Sequence, residues 1–119
     1  MKIPPKHILL VDDQSEVREV CRLMLDIEGH TVAEAKDGIE ALDLFAKDRF
    51  DLVITDFLMP GMNGCDLAAK LKQLAPSQRI LLISGYAREV GARPKHVDAI
   101  LPKPFSLPAL RDVFAQLLS

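Results

Sequence analysis

Short, unbroken apolar runs alternate along the chain with longer stretches whose apolar residues return every three or four positions. The runs are Ile8-Leu9-Leu10-Val11, Leu52-Val53-Ile54, Ile80-Leu81-Leu82-Ile83 and Ala99-Ile100-Leu101, with a weaker alternating segment, Thr31-Val32-Ala33-Glu34-Ala35. Continuous apolar runs of this length are what strands buried on both faces look like, as in a parallel sheet. Between them, Val17/Val20/Cys21/Met24, Ile39/Leu42/Phe45, Leu67/Leu71/Leu74 and Leu107/Leu110/Phe114/Leu117 have the spacing of one apolar helix face. The order βαβαβαβαβα predicts an α/β domain with a five-stranded parallel sheet, doubly wound because right-handed crossovers place helices on both faces. Gly29 is set to end the first helix, Asp37-Gly38 to turn, Pro60-Gly61-Met62-Asn63-Gly64 to form a loop and Ser106 to cap the last helix. A fourth helix belongs between Gly85 and Asp98. Gly91 and Pro94 interrupt that mostly polar stretch, so the helix is expected to be short or irregular.

At 119 residues the chain suits one compact domain, with Pro4-Pro5 stiffening an N-terminal extension or linker end over residues 1–6. Fifteen Lys and Arg against 17 Asp and Glu, with the signs mixed, give no basic footprint for direct nucleic-acid binding. Cys21 and Cys65 have neither metal-ligand spacing nor a disulfide framework, which points to a reducing compartment. The four straight apolar residues after His7 are too few for a signal-peptide core or a membrane span, so a soluble, cytoplasmic domain is expected. Cys21, on the apolar face of the first helix, reads as inert. His7, His30 and His96 are scattered, as surface or boundary residues would be, and Arg88, Arg93 and Lys95 read as a solvated face.

The chemistry gathers where the apolar runs stop. Asp12-Asp13 follows the first run, Asp56 the third and Ser84 the fourth, with Lys103 just beyond the fifth. In open α/β sheets, ligands bind outside the carboxyl ends of the strands, where the strand order reverses, so four runs point at one pocket. The second run ends in Ala35-Lys36-Asp37-Gly38 and offers no comparable group, as an edge strand would. Three converging carboxylates repel and call for a counter-charge, and an all-oxygen donor set selects a hard divalent cation, Mg²⁺, Mn²⁺ or Ca²⁺. Lys103 adds one compact positive charge suited to a carboxylate or phosphate oxygen. With the Ser84 hydroxyl, these groups surround a carboxylate nucleophile with what phosphoryl transfer requires. Each residue alone has a plainer reading: Asp13 or Ser15 as a helix cap, Asp56 as a turn residue, Ser84 as a cap, Lys103 as a surface charge. Their common endpoint favours the site.

These residues resemble the receiver domains of two-component response regulators. The resemblance covers essentially the whole chain: the acidic pair after the first strand, Asp56-Phe57-Leu58-Met59-Pro60-Gly61-Met62-Asn63-Gly64, Ser84-Gly85-Tyr86, and Lys103-Pro104-Phe105. It implies a flavodoxin-like sheet in the order 2-1-3-4-5. It implies that Asp56 accepts a phosphoryl group from the phosphohistidine of a histidine kinase or histidine phosphotransfer domain. Asp13, Asp56 and the backbone carbonyl of Leu58 would bind Mg²⁺ (or Mn²⁺), Asp12 would act largely through water, and Ser84 and Lys103 would contact the phosphoryl oxygens. Many relatives have a cis bond at the position of Lys103-Pro104. The output would be contact with a downstream protein or a second copy, making this a signalling domain rather than an enzyme.

Three positions depart from the common pattern. Many relatives carry Tyr or Phe where this chain has Ile100, so the switch candidates become Ser84, Tyr86 and Ile100. Leu58 and Tyr86 occupy the two positions that commonly govern water access to the acyl phosphate, and both are bulky side chains that cannot orient a water as a carboxylate or amide does. Slow self-dephosphorylation is the expectation. Among other functions, an aspartyl phosphatase of the haloacid-dehalogenase type would need Asp-x-Asp, but Gln14 follows Asp12 by two. A flavodoxin-type flavin site would be repelled by Asp12-Asp13. An unphosphorylated docking module is disfavoured because all five chemical positions are intact. The length suits either a single-domain regulator or a receiver from a larger chain such as a hybrid sensor kinase.

Overall fold

The structure, a computed structural model, describes residues 3–85 and 94–118. Five strands, β1 (His7–Val11), β2 (Thr31–Ala35), β3 (Leu52–Asp56), β4 (Ile80–Ser84) and β5 (Ala99–Pro102), are joined with four helices. These are α1 (Ser15–Ile27), α2 (Gly38–Lys47), α3 (Gly64–Leu74) and, after β5, α4 (Leu107–Leu118). All strand pairs are parallel, and the sheet order is β2-β1-β3-β4-β5, as the resemblance implied. The short helix expected between Gly85 and Asp98 falls mostly on residues 86–93, outside the described residues, as do Tyr86, Arg88 and Arg93. A turn closed by the Val97 N–H on the Pro94 carbonyl (3.2 Å) precedes β5.

Side chains alternate across a strand, and this splits each apolar run between two cores. Leu9, Val11, Val53, Ile80 and Leu82 pack with Ala41 of α2 and Leu67, Ala68 and Leu71 of α3. Ile8, Leu10, Leu52, Ile54, Leu81 and Ile83 pack on the other side with Cys21 and Leu25 of α1 and Leu110 and Phe114 of α4. Burial on both faces explains why the strands read as continuous apolar runs. The helix stripes are narrower than their spacing suggests: Val20, Ile39 and Leu74, expected on apolar faces, are exposed. In α1 the turn seated on the sheet carries Cys21 and Leu25, with Val17 and Met24 partly buried beside them, which leaves Val20 on the flank.

Gly29 (φ 89°) ends α1 and Gly61 (φ 78°) turns the β3–α3 loop, both in the left-handed region that glycine enters without penalty. Asp37 accepts from the Glu40 N–H, Asn63 from the Asp66 N–H, and Ser106 Oγ from the Ala109 N–H, capping α2, α3 and α4. Gly64 is the first residue of α3 rather than part of the loop. Neither Asp13 nor Ser15 caps α1: Gln14 holds that position without a side-chain bond, and its N–H donates instead to Asp12 Oδ1 at 2.9 Å. His30 is buried rather than at the surface. Its Nδ1 accepts the Lys6 N–H at 3.0 Å and its ring tilts against Phe114 at 5.3 Å, so a polar residue between Gly29 and Thr31 becomes part of the α4 core. His7 stays half-exposed, stacked on Phe50 and hydrogen-bonded to Asp48.

Candidate functional site

Strand register assembles the site. Val11 pairs with Thr55, Asp56 with Ile83, and Ser84 with Pro102, so Asp12, Asp56, Ser84 and Lys103 come side by side at the carboxyl ends of neighbouring strands. The carboxylate oxygens offered by Asp12, Asp13 and Asp56 all lie within 4.8 Å of one another. Lys103 Nζ stands 3.0 Å from Asp56 Oδ1 and 3.5 Å from Asp12 Oδ2. Its backbone N–H donates to the Ser84 carbonyl at 2.9 Å, and the Lys103-Pro104 bond is cis. An open pocket of about 500 Å³ has Asp13, Asp56, Leu58, Met59, Ser84 and Lys103 in its wall. Asp12 is buried beneath it, while Asp13 is exposed.

Asp56 is held from behind. Thr55 Oγ1 donates to the Asp56 carbonyl at 3.0 Å, and the Phe57 N–H donates to Ile83 at 2.9 Å. The Gly64 N–H donates to Phe57 at 2.9 Å, and a Cβ added at Gly64 would lie 2.3 Å from the Asp56 carbonyl oxygen. Only glycine lets α3 start this close to the strand end. The Asp56 side chain is 11% exposed. Burial pushes its carboxyl above the usual range; the Lys103 hydrogen bond and charge pull the other way, and Asp12 adds to the rise. Burial works against the Lys103 ammonium, but its bond to Asp56 and the charges of Asp12 and Asp56 outweigh that and raise its pKa. Two carboxylates within 4.8 Å of each other repel by at least about 3 kcal/mol at an effective dielectric of about 20. One lysine cannot balance three acids, and the all-oxygen cluster fits a hard divalent cation.

The sequence candidates Asp12, Asp13, Asp56, Ser84 and Lys103 thus meet at one place, with Leu58 in the pocket wall. Ile100 lies on β5, half-buried against the core shared with α2 and α3, and Tyr86 lies outside the described residues. The Cys21 thiol is pushed up to about 11, by burial first and then by Asp12, in keeping with an inert side chain. Two supporting residues escaped sequence reasoning, Thr55 and Arg18, and Gly64 reads there only as a loop residue. Arg18 Nη1 donates to the Asp12 carbonyl at 2.6 Å. Only the position of Arg18 at the end of the first turn of the helix after the acidic pair could have flagged it.

Residues 8–115 match the family of response regulator receiver domains. The chain belongs to this family. It is 38% identical over 109 residues to the response regulator MprA of a Mycobacterium species (strain KMS), an alignment covering 89% of this chain and 47% of that protein. It is 37% identical over 116 residues to the sensor kinase CckA of Brucella abortus (strain 2308), covering 93% of this chain and 12% of the kinase. The chain thus spans about half the length of the MprA relatives and a small part of the kinase. Among solved structures, the response regulator TrrA of Thermotoga maritima in complex with Mg²⁺-BeF superposes with a TM-score of 0.88 at 32% identity, covering 95% of this chain and 99% of that one. TrrA in complex with the histidine kinase ThkA superposes with a TM-score of 0.87, also at 32% identity, covering 96% and 99%. The receiver domain is a signalling module, and its fold here is the one these relatives share.

Proposed function

We propose that Asp56 is the phosphoacceptor of this receiver domain, taking a phosphoryl group from a phosphohistidine. The observation that carries this reading is the Asp56 carboxylate itself, gathered with two other acids at a strand end and held by Lys103 at 3.0 Å. An Asp56 oxygen attacks phosphorus, the P–N bond breaks with its electron pair staying on the imidazole, and an acyl phosphate forms. Lys103 follows the charge from the carboxylate to the phosphoryl oxygens, and Ser84, at the end of the neighbouring strand, supplies a hydroxyl donor on the same side. Mg²⁺ (or Mn²⁺), when bound, supplies further charge neutralisation for phosphoryl oxygens. Asp13, Asp56 and the Leu58 carbonyl would hold it. Asp12 has Oδ1 occupied by the Gln14 N–H and Oδ2 facing Lys103, which supports a role through an intervening water.

The donor in this reading is a histidine kinase or a histidine phosphotransfer domain. Support comes from the ThkA–TrrA complex and from α1, where Val20, Leu23 and Ile27 are 53%, 62% and 66% exposed. Val20 lines an apolar groove whose wall also includes Val17, Met24, Pro104 and Phe105 and reaches Lys103. A docked helix there would bring its phosphohistidine to the pocket mouth. The reading places the domain in the cytoplasm with its kinase, and among the described residues no helix is long and apolar enough to cross a membrane. Incubation with acetyl phosphate and Mg²⁺ tests it: the wild type is labelled, Asp56→Asn is not, and chelation of the metal prevents labelling. Undiminished labelling of Asp56→Asn would refute the assignment.

A further inference from the structure

The turn that presents the two leading acids is fastened by a side chain rather than a cap. Gln14, at the N-cap of α1, makes no side-chain bond to the helix. Arg18 reaches back instead: Nη1 donates to the Asp12 carbonyl at 2.6 Å, and Nε donates to Glu34 Oε1 on the edge strand β2 at 3.1 Å. Both bonds leave one rigid planar fork, so holding one end orients the other. The Arg18 side chain is 19% exposed, which shelters the bonds from competing water. The Asp12 N–H donates to the Ala35 carbonyl at 3.1 Å. Asp12 therefore has its N–H tied to β2 and its carbonyl tied to the Arg18–Glu34 pair. The carbonyl belongs to the planar peptide that joins Asp12 to Asp13, and the orientation of this peptide sets where the exposed Asp13 side chain departs.

We infer that Arg18, braced by Glu34, is a positioning residue that fixes the Asp12–Asp13 peptide so that both carboxylates stay poised around the divalent-cation site. The inference rests on the proposed binding of Mg²⁺ by the acidic cluster, and Arg18 itself touches no reacting atom. Two simpler roles compete with it. If Arg18 served only as an ion pair for Glu34, Arg22 would matter equally, because Arg22 Nη1 engages Glu34 Oε2 while its other described pairing is with Asp26. If Arg18 served only as a nearby positive charge, lysine would replace it. A lysine ammonium is a single point and cannot reproduce a fork joining the Asp12 carbonyl to Glu34.

The test is a Mg²⁺ titration followed by backbone amide NMR shifts, well below the melting temperature of each protein. It compares the wild type with Arg18→Ala, Arg18→Lys and Arg22→Ala, with thermal melts alongside. Loss of a residue supporting a metal ligand typically weakens affinity by about tenfold or more. That loss is expected for both Arg18 variants, with the Kd of Arg22→Ala unchanged even where its melting temperature falls. Wild-type affinity in Arg18→Ala, full rescue by Arg18→Lys, or an equal loss in Arg22→Ala would each overturn the inference. Should Arg18→Ala fail to fold, Arg18→Lys against Arg22→Ala decides the matter. A wild type that shows no saturable Mg²⁺ response would instead refute the metal reading itself, and this inference with it.

Discussion

Leu58 follows Asp56 by two residues, stands in the pocket wall and is 48% exposed. An apolar side chain there would displace water from an acyl phosphate on Asp56, the proposed phosphoacceptor, and offers no group to orient an attacking one. Leu58→Asn is therefore expected to hydrolyse its phosphoryl group several-fold faster than the wild type, with an unchanged melting temperature because the side chain is largely in solvent. Timed loss of label after removal of the donor measures this, and equal rates would show that water access is set elsewhere. At this scale the sequence was legible where a polar residue ended an apolar run, as Asp12, Asp13, Asp56, Ser84 and Lys103 do. It was illegible for Thr55 and Arg18, because their work is done on backbone carbonyls. Which carbonyl a hydroxyl or guanidinium meets depends on the packed fold, not on neighbouring letters.

The first turn of α3 and the end of β3 are closer than two elements with side chains between them can come. A Cβ at Gly64 would meet the Asp56 carbonyl oxygen at 2.3 Å and Leu82 Cδ1 at 2.7 Å. One of these contacts is backbone and cannot rotate away. Gly64→Ala is expected to cost about 1–3 kcal/mol of stability and, by pushing the strand end, to reduce phosphoryl uptake in the folded fraction. Gly61→Ala makes the contrast, because its Cβ meets nothing within 4 Å while its φ of 78° strains any other residue. It should lower the melting temperature by backbone strain and leave uptake by the folded protein intact. Uptake lost equally in both variants would argue against a specific push on Asp56. The sequence marked both glycines only as loop residues, since spacing records a turn but not the distance between two elements. For the same reason the helix stripes were drawn too wide: three- and four-residue repeats include Val20, Ile39 and Leu74, and only the seating of each helix on the sheet leaves them outside.

Across the whole molecule, His30 joins the N-terminal segment to α4 at the end of the sheet remote from the acids. Accepting the Lys6 N–H requires an unprotonated Nδ1, and burial lowers the pKa, with Glu28 and Asp51 opposing the fall and Lys6 adding to it. The unfolded chain takes up this proton first as the pH drops below the ordinary value of 6.5. The contribution of His30 is therefore complete above that pH and is lost as the pH falls through the lower folded-state value. His30→Asn keeps an acceptor and removes the titration. Its melting temperature should be lower than wild type at neutral pH, for want of the ring against Phe114, yet change less between about pH 7 and pH 5. Parallel melting curves for the two proteins across that range would count against the assignment. The sheet order was legible because a resemblance to a known family supplied it. The burial of His30 was not, because a histidine beside a glycine looks the same at a surface as under a helix.

The Lys103–Asp12 pairing spans 91 residues, with Asp56 about midway. A ribosome therefore releases all three acids long before Lys103, the cation that pairs with two of them among the described residues, and β5, which carries that cation into place, follows the other described strands. A nascent chain that stops short of β5 holds Asp56 but neither the Lys103 counter-charge nor the pocket. If Asp56 is the phosphoacceptor proposed above, readiness to take a phosphoryl group would certify completed folding, and unfinished copies would not drain the donor.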